Sequence, residues 1–150
     1  MGMKIGMIGH KRVPSREGGI EIAVEETALR LAAMGHQVDC YNRWQDFRRK
    51  EDRAPREYRG IRLIRIPTLS HPSLNAFVYS VLAAIRAVFG GYDVLHFHAE
   101  GPGAMTFLPR LLGIPVVATI HGLDWQRAKW GRFATCLLYT SPSPRDTERS

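Results

Sequence analysis

Lys4-Ile5-Gly6-Met7-Ile8-Gly9, the loop from His10 to Gly18, and the run from Gly19 to Met34 decide how this chain folds. The first six residues are a short apolar run with polar punctuation on both sides, the pattern of a buried strand. The loop contains Pro14 and closes on the pair Gly18-Gly19. From Gly19 the period turns helical: Ile20, Val24, Ala28, Leu31 and Met34 fall near one face, and Gly35 supplies the stop. A strand that opens through glycines into a helix makes an anion cradle. The first-turn N–H groups point outward, and the helix dipole adds about half a positive charge. Glycine there lets a phosphate approach backbone that a Cβ would screen. The same residues describe equally well a plain strand–loop–helix unit with a flexible loop.

Outward from this unit the chain alternates strand and helix patterns. Gln37 to Tyr41 reads as a second strand, and the basic segment Asn42 to Gly60, without a clean period, as a long loop. Ile61 to Ile66 is a third strand ended by Pro67. Ser73 is placed to cap a helix from Leu74 to Phe89, stopped by Gly90-Gly91. That helix is apolar on most sides but falls short of the ~20 apolar residues of a membrane span. It suits a core helix packed on a sheet, or a helix lying on a membrane surface. Asp93 introduces a fourth strand, Val94 to His98, and Gly101-Pro102-Gly103 turns the chain into a helix from Ala104 to Leu112 that Pro109 should bend or shorten. Pro115 to Ile120 is a fifth strand, whose continuous β-branched character predicts a fully buried parallel one. The alternation predicts an α/β, Rossmann-like open parallel sheet with helices on both faces. Ligands in such sheets gather outside the carboxyl ends of the strands, where strand order reverses.

With 150 residues the chain is one domain or a piece of a larger one. Its net charge of +7 is concentrated between Arg43 and Arg65. That stretch suits an anionic membrane face, a nucleic acid or a phosphorylated substrate, although such runs are more often solvated loops. Two cysteines, Cys40 and Cys136, imply no disulfide framework. The apolar run after Met1 is too short for a signal peptide, so cytoplasmic residence is the default.

Three loops leave carboxyl ends with chemistry to offer: His10 to Gly19, His98 to Gly103, and His121 to Trp125. His96 and His98, two apart on a strand, share a face. A metal reading would need His121 or Glu100 as a third ligand, and no cysteine cluster or His-Glu-x-x-His accompanies them, so no metal is expected. His96 is instead expected to be packed or hydrogen-bonded, with His98 reaching the cleft mouth. His121, followed by Gly122, is placed either to bond a polar ligand or to serve a turn, while Asp124 suits a helix cap. Absent are G-x-G-x-x-G, the GxxxxGK[ST] loop, an Asp-x-Asp pair and G-x-S-x-G. What survives is a metal-free site of backbone N–H groups and histidines.

Lys4 to Gly9, then Gly18-Gly19-Ile20-Glu21, then Met34-Gly35-His36-Gln37-Val38 resemble the opening of the retaining GT-B glycosyltransferases of glycosyltransferase family 4. Asp93 to His98 and Ala118-Thr119-Ile120-His121-Gly122 are similar to that family's fourth- and fifth-strand motifs. The run His121 to Arg127 with Lys129-Trp130 looks closest to a bacterial rhamnosyltransferase-like branch. The resemblance implies the amino-terminal, mainly acceptor-binding half of a two-domain enzyme that uses a nucleotide-sugar donor and a saccharide or lipid-linked acceptor, without a cofactor. Gly18 and Gly19 would face the donor diphosphate, His121 would contact the donor sugar as catalytic residue, and Arg16, His98, Glu100, Gly122 and Asp124 would line the substrate cleft. Peripheral membrane contact at the inner membrane face fits a lipid-linked acceptor; nucleic acid is not an expected partner.

Residues 1–135 are thus expected to be a truncated GT-B amino-terminal domain. Cys136 to Asp146 looks like translated sequencing-adapter DNA, so residues 136–150 are expected to be a non-native tail, with a genuine Ser/Pro-rich flexible tail as the alternative. Two rival classes stay open. An NAD(P)-type Rossmann oxidoreductase would need a tight glycine turn and a ribose-binding acid where Asn42-Arg43 stands. A non-enzymatic basic module would bind membrane or nucleic acid in a salt-sensitive way.

Overall fold

The computed structural model describes residues 2–44, 56–98 and 106–119. In chain order the elements are β1 (Lys4–Ile8), α1 (Gly19–Ala33), β2 (Gln37–Trp44), β3 (Glu57–Tyr58), β4 (Ile61–Pro67), α2 (Pro72–Val88), β5 (Val94–His98), α3 (Phe107–Leu111) and β6 (Val116–Thr119). The strands form one sheet in the order β3-β4-β2-β1-β5-β6. All neighbours are parallel except β3 and β4. The chain builds from β1 through β2 to β4, then crosses to β5 on the other side of β1. Strand order therefore reverses between β1 and β5, the place where such sheets leave a crevice.

Side-chain alternation along the strands produces two cores. Ile8, Tyr41, Leu95 and Phe97 face Tyr79, Ala83 and Ala87 of α2. Met7, Val38, Cys40 and Leu63 face Val24 and Ala28 of α1. Adjacent residues of one strand thus go to opposite layers, the period-2 geometry of a strand buried on both sides. The predicted α/β Rossmann-like sheet with helices on both faces is the observed architecture.

Several elements differ from the sequence reading. β2 runs on to Trp44, because β4 stays paired with it as far as Pro67. Within the expected loop lies β3, joined to β4 by Arg59-Gly60 with φ of 47° and 85°. Two residues in the left-handed region make a type I′ turn, whose twist suits a tight hairpin. Helix α2 starts at Pro72 after His71, and not at Leu74 behind a Ser73 cap. Proline at the first helical position has its φ already set and no N–H to leave unpaired. Finally, β6 is parallel but not buried: Val117 is 50% exposed, because β6 pairs with β5 alone among the described residues. Helix α3 holds Pro109 within it, and residues 104 and 105 of the expected helix lie outside the described residues.

Candidate functional site

The carboxyl ends of β1, β2 and β4 and the start of α2 converge on one cluster of polar side chains. The Gly9 N–H donates to the Tyr79 hydroxyl at 3.0 Å, and that hydroxyl donates to the Tyr41 carbonyl at 2.5 Å. Tyr79 of α2 therefore ties the end of β1 to β2 through the core. Next along the chain, His10 is fully buried, with Nε2 2.9 Å from Asn42 Oδ1. The same oxygen accepts the Val13 N–H at 3.0 Å, and Asn42 Nδ2 donates to the Val13 carbonyl at 2.9 Å. Because Asn42 Oδ1 can only accept, His10 Nε2 carries the proton and Nδ1, which has no hydrogen-bond partner, carries none. One asparagine at the end of β2 thus staples the loop that connects β1 to α1.

Burial pushes the His10 imidazole pKa down to about 4, against smaller opposing effects of Asn42 and Glu21. The unfolded chain takes up that proton near the ordinary value of 6.5, so between pH 6.5 and 4 the unfolded state binds more protons. The His10 contribution is complete above pH 6.5 and falls by about 3 kcal/mol as pH drops through that window. Urea unfolding at a series of pH values should show this slope, and His10→Gln should flatten it. An unchanged slope in the variant would refute the assignment.

Glu21, in the first turn of α1, is nearly buried and accepts the Lys11 N–H at 3.1 Å. Its other oxygen lies where a Cβ on Gly18 would have to sit, so Gly18 makes room for this carboxylate. Gly19 is exposed, and a Cβ there would meet nothing. The two glycines expected to act together therefore have different surroundings, one beneath a carboxylate and one open. Arg16 is exposed and comes within 3.9 Å of Glu25 Oε1, which also accepts the Tyr58 hydroxyl at 3.1 Å.

His98 ends β5 and is 2% exposed, so it does not reach an open cleft mouth as expected; its ring lies 4.0 Å from that of His96. His96 Nε2 lies 2.7 Å from Thr119 Oγ1, the hydrogen-bonded role expected of it. His121, Glu100, Gly122 and Asp124 lie outside the described residues.

Sequence reasoning missed the polar group at the end of β2. The Arg43 guanidinium stacks 4.8 Å over the Tyr79 ring, and its Nη1 is 3.4 Å from Asn75 Oδ1. Asn75 is fixed in turn by donating to Thr68 Oγ1 at 3.0 Å and to the Leu69 carbonyl at 2.7 Å. The available signal was position: Asn42 and Arg43 directly follow the second strand's apolar run, as His10 follows the first.

An open, mostly parallel sheet of this order, with polar loops at its carboxyl ends, is Rossmann-like. The chain is similar to the structure of a sucrose-phosphate synthase from Thermosynechococcus elongatus, with a TM-score of 0.63 and 18% identity. The match covers 90% of this chain and 39% of that one. No curated protein matches in sequence. Residues 17–145 match the family model Glycosyltransferase Family 4, and the chain belongs to that family.

Proposed function

We propose that this chain is the acceptor-side half of a retaining, nucleotide-sugar-dependent glycosyltransferase of bacterial polysaccharide or glycolipid synthesis, in the rhamnosyltransferase-like branch. The observation that carries the reading is the β1–α1 connection. Asn42 and Tyr79 hold it rigidly at the strand-order reversal, and it delivers the start of α1 to the carboxyl ends of the sheet. The start of α1 at the exposed Gly19 is suited to a donor diphosphate, with Glu21 fixing the preceding loop through the Lys11 N–H. His121 would contact the donor sugar. The departing diphosphate would take the acceptor hydroxyl proton, so that stabilising its charge supplies most of the acceleration and no protein base or metal is needed.

A membrane-side acceptor is favoured by α2. Leu74, Phe77, Leu82, Ile85 and Phe89 are all exposed, Phe89 by 84%, and recur at helical spacing along one stripe, with the exposed Arg86 beside it. Such a face suits the apolar–headgroup boundary of an anionic membrane, and the net charge of +7 adds attraction. Among the described residues no helix is long and apolar enough to cross a membrane.

The test is the gene continued downstream of codon 135, expressed and supplied with labelled nucleotide-sugars and lipid-linked acceptors. Sugar transfer by that product, with none by the 150-residue chain, is the expected result, together with sedimentation on anionic vesicles at low salt. NADH binding in place of nucleotide-sugar binding would overturn the reading in favour of an oxidoreductase. Transfer without vesicle binding would remove only the membrane component.

A further inference from the structure

Two arginines on adjacent strands of this sheet are partnered in opposite ways. Arg62 on β4 meets Asp39 through two hydrogen bonds, of 3.1 and 2.5 Å, which satisfies its charge and its fork of donors together. Arg43 on β2 has no carboxylate within ion-pair distance among the described residues. Its Nε is buried with no hydrogen-bond partner among the described residues, and the guanidinium's hydrogen bond there, from Nη1, is the long one to a neutral amide. Glu21 acts on it only at longer range and already accepts the Lys11 N–H. Leaving a buried charged donor unpaired is costly.

The seat of this guanidinium is nevertheless well built. Tyr79 supports its face, the Arg43 N–H donates to the Lys11 carbonyl at 2.8 Å, and Asn75 is locked by its bonds to Thr68 and Leu69. The group is therefore held at the carboxyl ends of β1 and β2 without a carboxylate partner among the described residues, and burial presses its pKa down. A planar fork in such a position matches the oxygens of a phosphate or carboxylate.

We infer that Arg43, seated on Tyr79 and flanked by Asn75, is an oxyanion-binding subsite that takes a phosphate or carboxylate group carried by the sugar acceptor. The word acceptor rests on the proposed transferase reading; the oxyanion site does not. Both sources share one chemistry, a compact anion presenting two oxygens to the guanidinium.

The 150-residue chain is titrated at low ionic strength with inorganic phosphate, glucose 6-phosphate, glucuronate, neutral glucose and UDP. Calorimetry gives the affinity, and the Arg43 Nε–H resonance reports the contact. Phosphate is expected to bind and to shift that resonance, and either the sugar phosphate or the uronate to bind more tightly than neutral glucose. Arg43→Met should weaken anion binding by about 10- to 100-fold, the loss of one charge-assisted pair. Arg43→Lys, which keeps the charge without the fork, should fall between, and is the variant to read if Arg43→Met fails to fold. Arg110→Met, an exposed control, should bind as the parent chain does. Equal affinities in the Arg43 variants and the parent, or no binding of any anion, would overturn the site. UDP competing for Arg43 more strongly than either sugar acid would overturn its assignment to the acceptor. Failure of sugar transfer by the longer gene product, with oxyanion binding intact, would sink the transferase reading and leave the site standing.

Discussion

Gly9→Ala is expected to destabilise the domain by about 4 kcal/mol or more, a large share of the 5–15 kcal/mol typical of whole domains. Two independent causes act at the same atom. Gly9 has a φ of 118°, a conformation that L side chains rarely adopt. A Cβ there would also overlap the carbonyl of His98 on the neighbouring strand. That carbonyl cannot retreat cheaply, since β5 is paired with β1 on one side and with β6 on the other. The Gly9 N–H to Tyr79 bond would be lost in the same displacement. Gly19→Ala is the matched control. A Cβ at Gly19 meets nothing, and exchanging glycine for alanine in a helix adds up to ~1 kcal/mol of stability. Urea midpoints followed by circular dichroism separate the two. A Gly9→Ala chain as stable as the parent would show that β1 and β5 do not approach so closely at Gly9.

This contrast also marks what the sequence could and could not disclose. The Lys4–Ile8 strand was legible as a continuous apolar run and the Gly19–Ala33 helix from its period, and both signals survive in sequence. The turn at Arg59-Gly60 was only half legible. Glycine announces a bend, but the φ of 47° at Arg59 is set by the hairpin and by no propensity of arginine. Charge misled the reading of β2: Asn42 and Arg43 suggested a loop, while the ladder with β4 keeps them extended. A serine cap was inferred where a proline start prevails, since a fixed φ decides the first turn of α2 without any side-chain bond. Apolar character made β6 look buried, but a one-dimensional pattern does not say which strand will have a neighbour on only one side.

At the site the limit was different in kind. Spacing put His96 and His98 on one face, and the structure agrees, with ring centroids 4.0 Å apart and the planes tilted by 33°. Depth does not follow from spacing, and His98 is buried. Gly18 and Gly19 look alike in sequence, and only the structure sets Glu21 against one of them. The Asn42 staple joins residues 29 apart, and the Tyr79 tie joins residues 70 apart. Contacts of that range come from the order of strands in the sheet, and are invisible in any local window.

Asp39→Ala is expected to cost about 3 kcal/mol, near the lower end for breaking a buried ion pair. Asp39 is 0% exposed, and the sheet register sets it directly beside Arg62. Its Oδ2 also accepts the Tyr92 hydroxyl at 2.7 Å, and that hydroxyl in turn accepts from Tyr41 at 2.8 Å. Removing the carboxylate strands both ends of the network, but unequally. The Arg62 side chain is 52% exposed and turns to water, which holds the loss down. The Tyr92 hydroxyl is buried in the α2-side core and has no such recourse, so most of the cost falls there. Asp39→Asn, which keeps an oxygen for Tyr92, should therefore lose only about 1–2 kcal/mol. Arg62→Met alone should be milder than Asp39→Ala only if Tyr92 is the principal partner. Combining Arg62→Met with Asp39→Ala should then cost little beyond Asp39→Ala itself. Denaturation of the three variants and the double mutant would decide it. An Asp39→Asn chain as unstable as Asp39→Ala would mean that the charge pair with Arg62, and not the tyrosine network, holds the centre of the sheet.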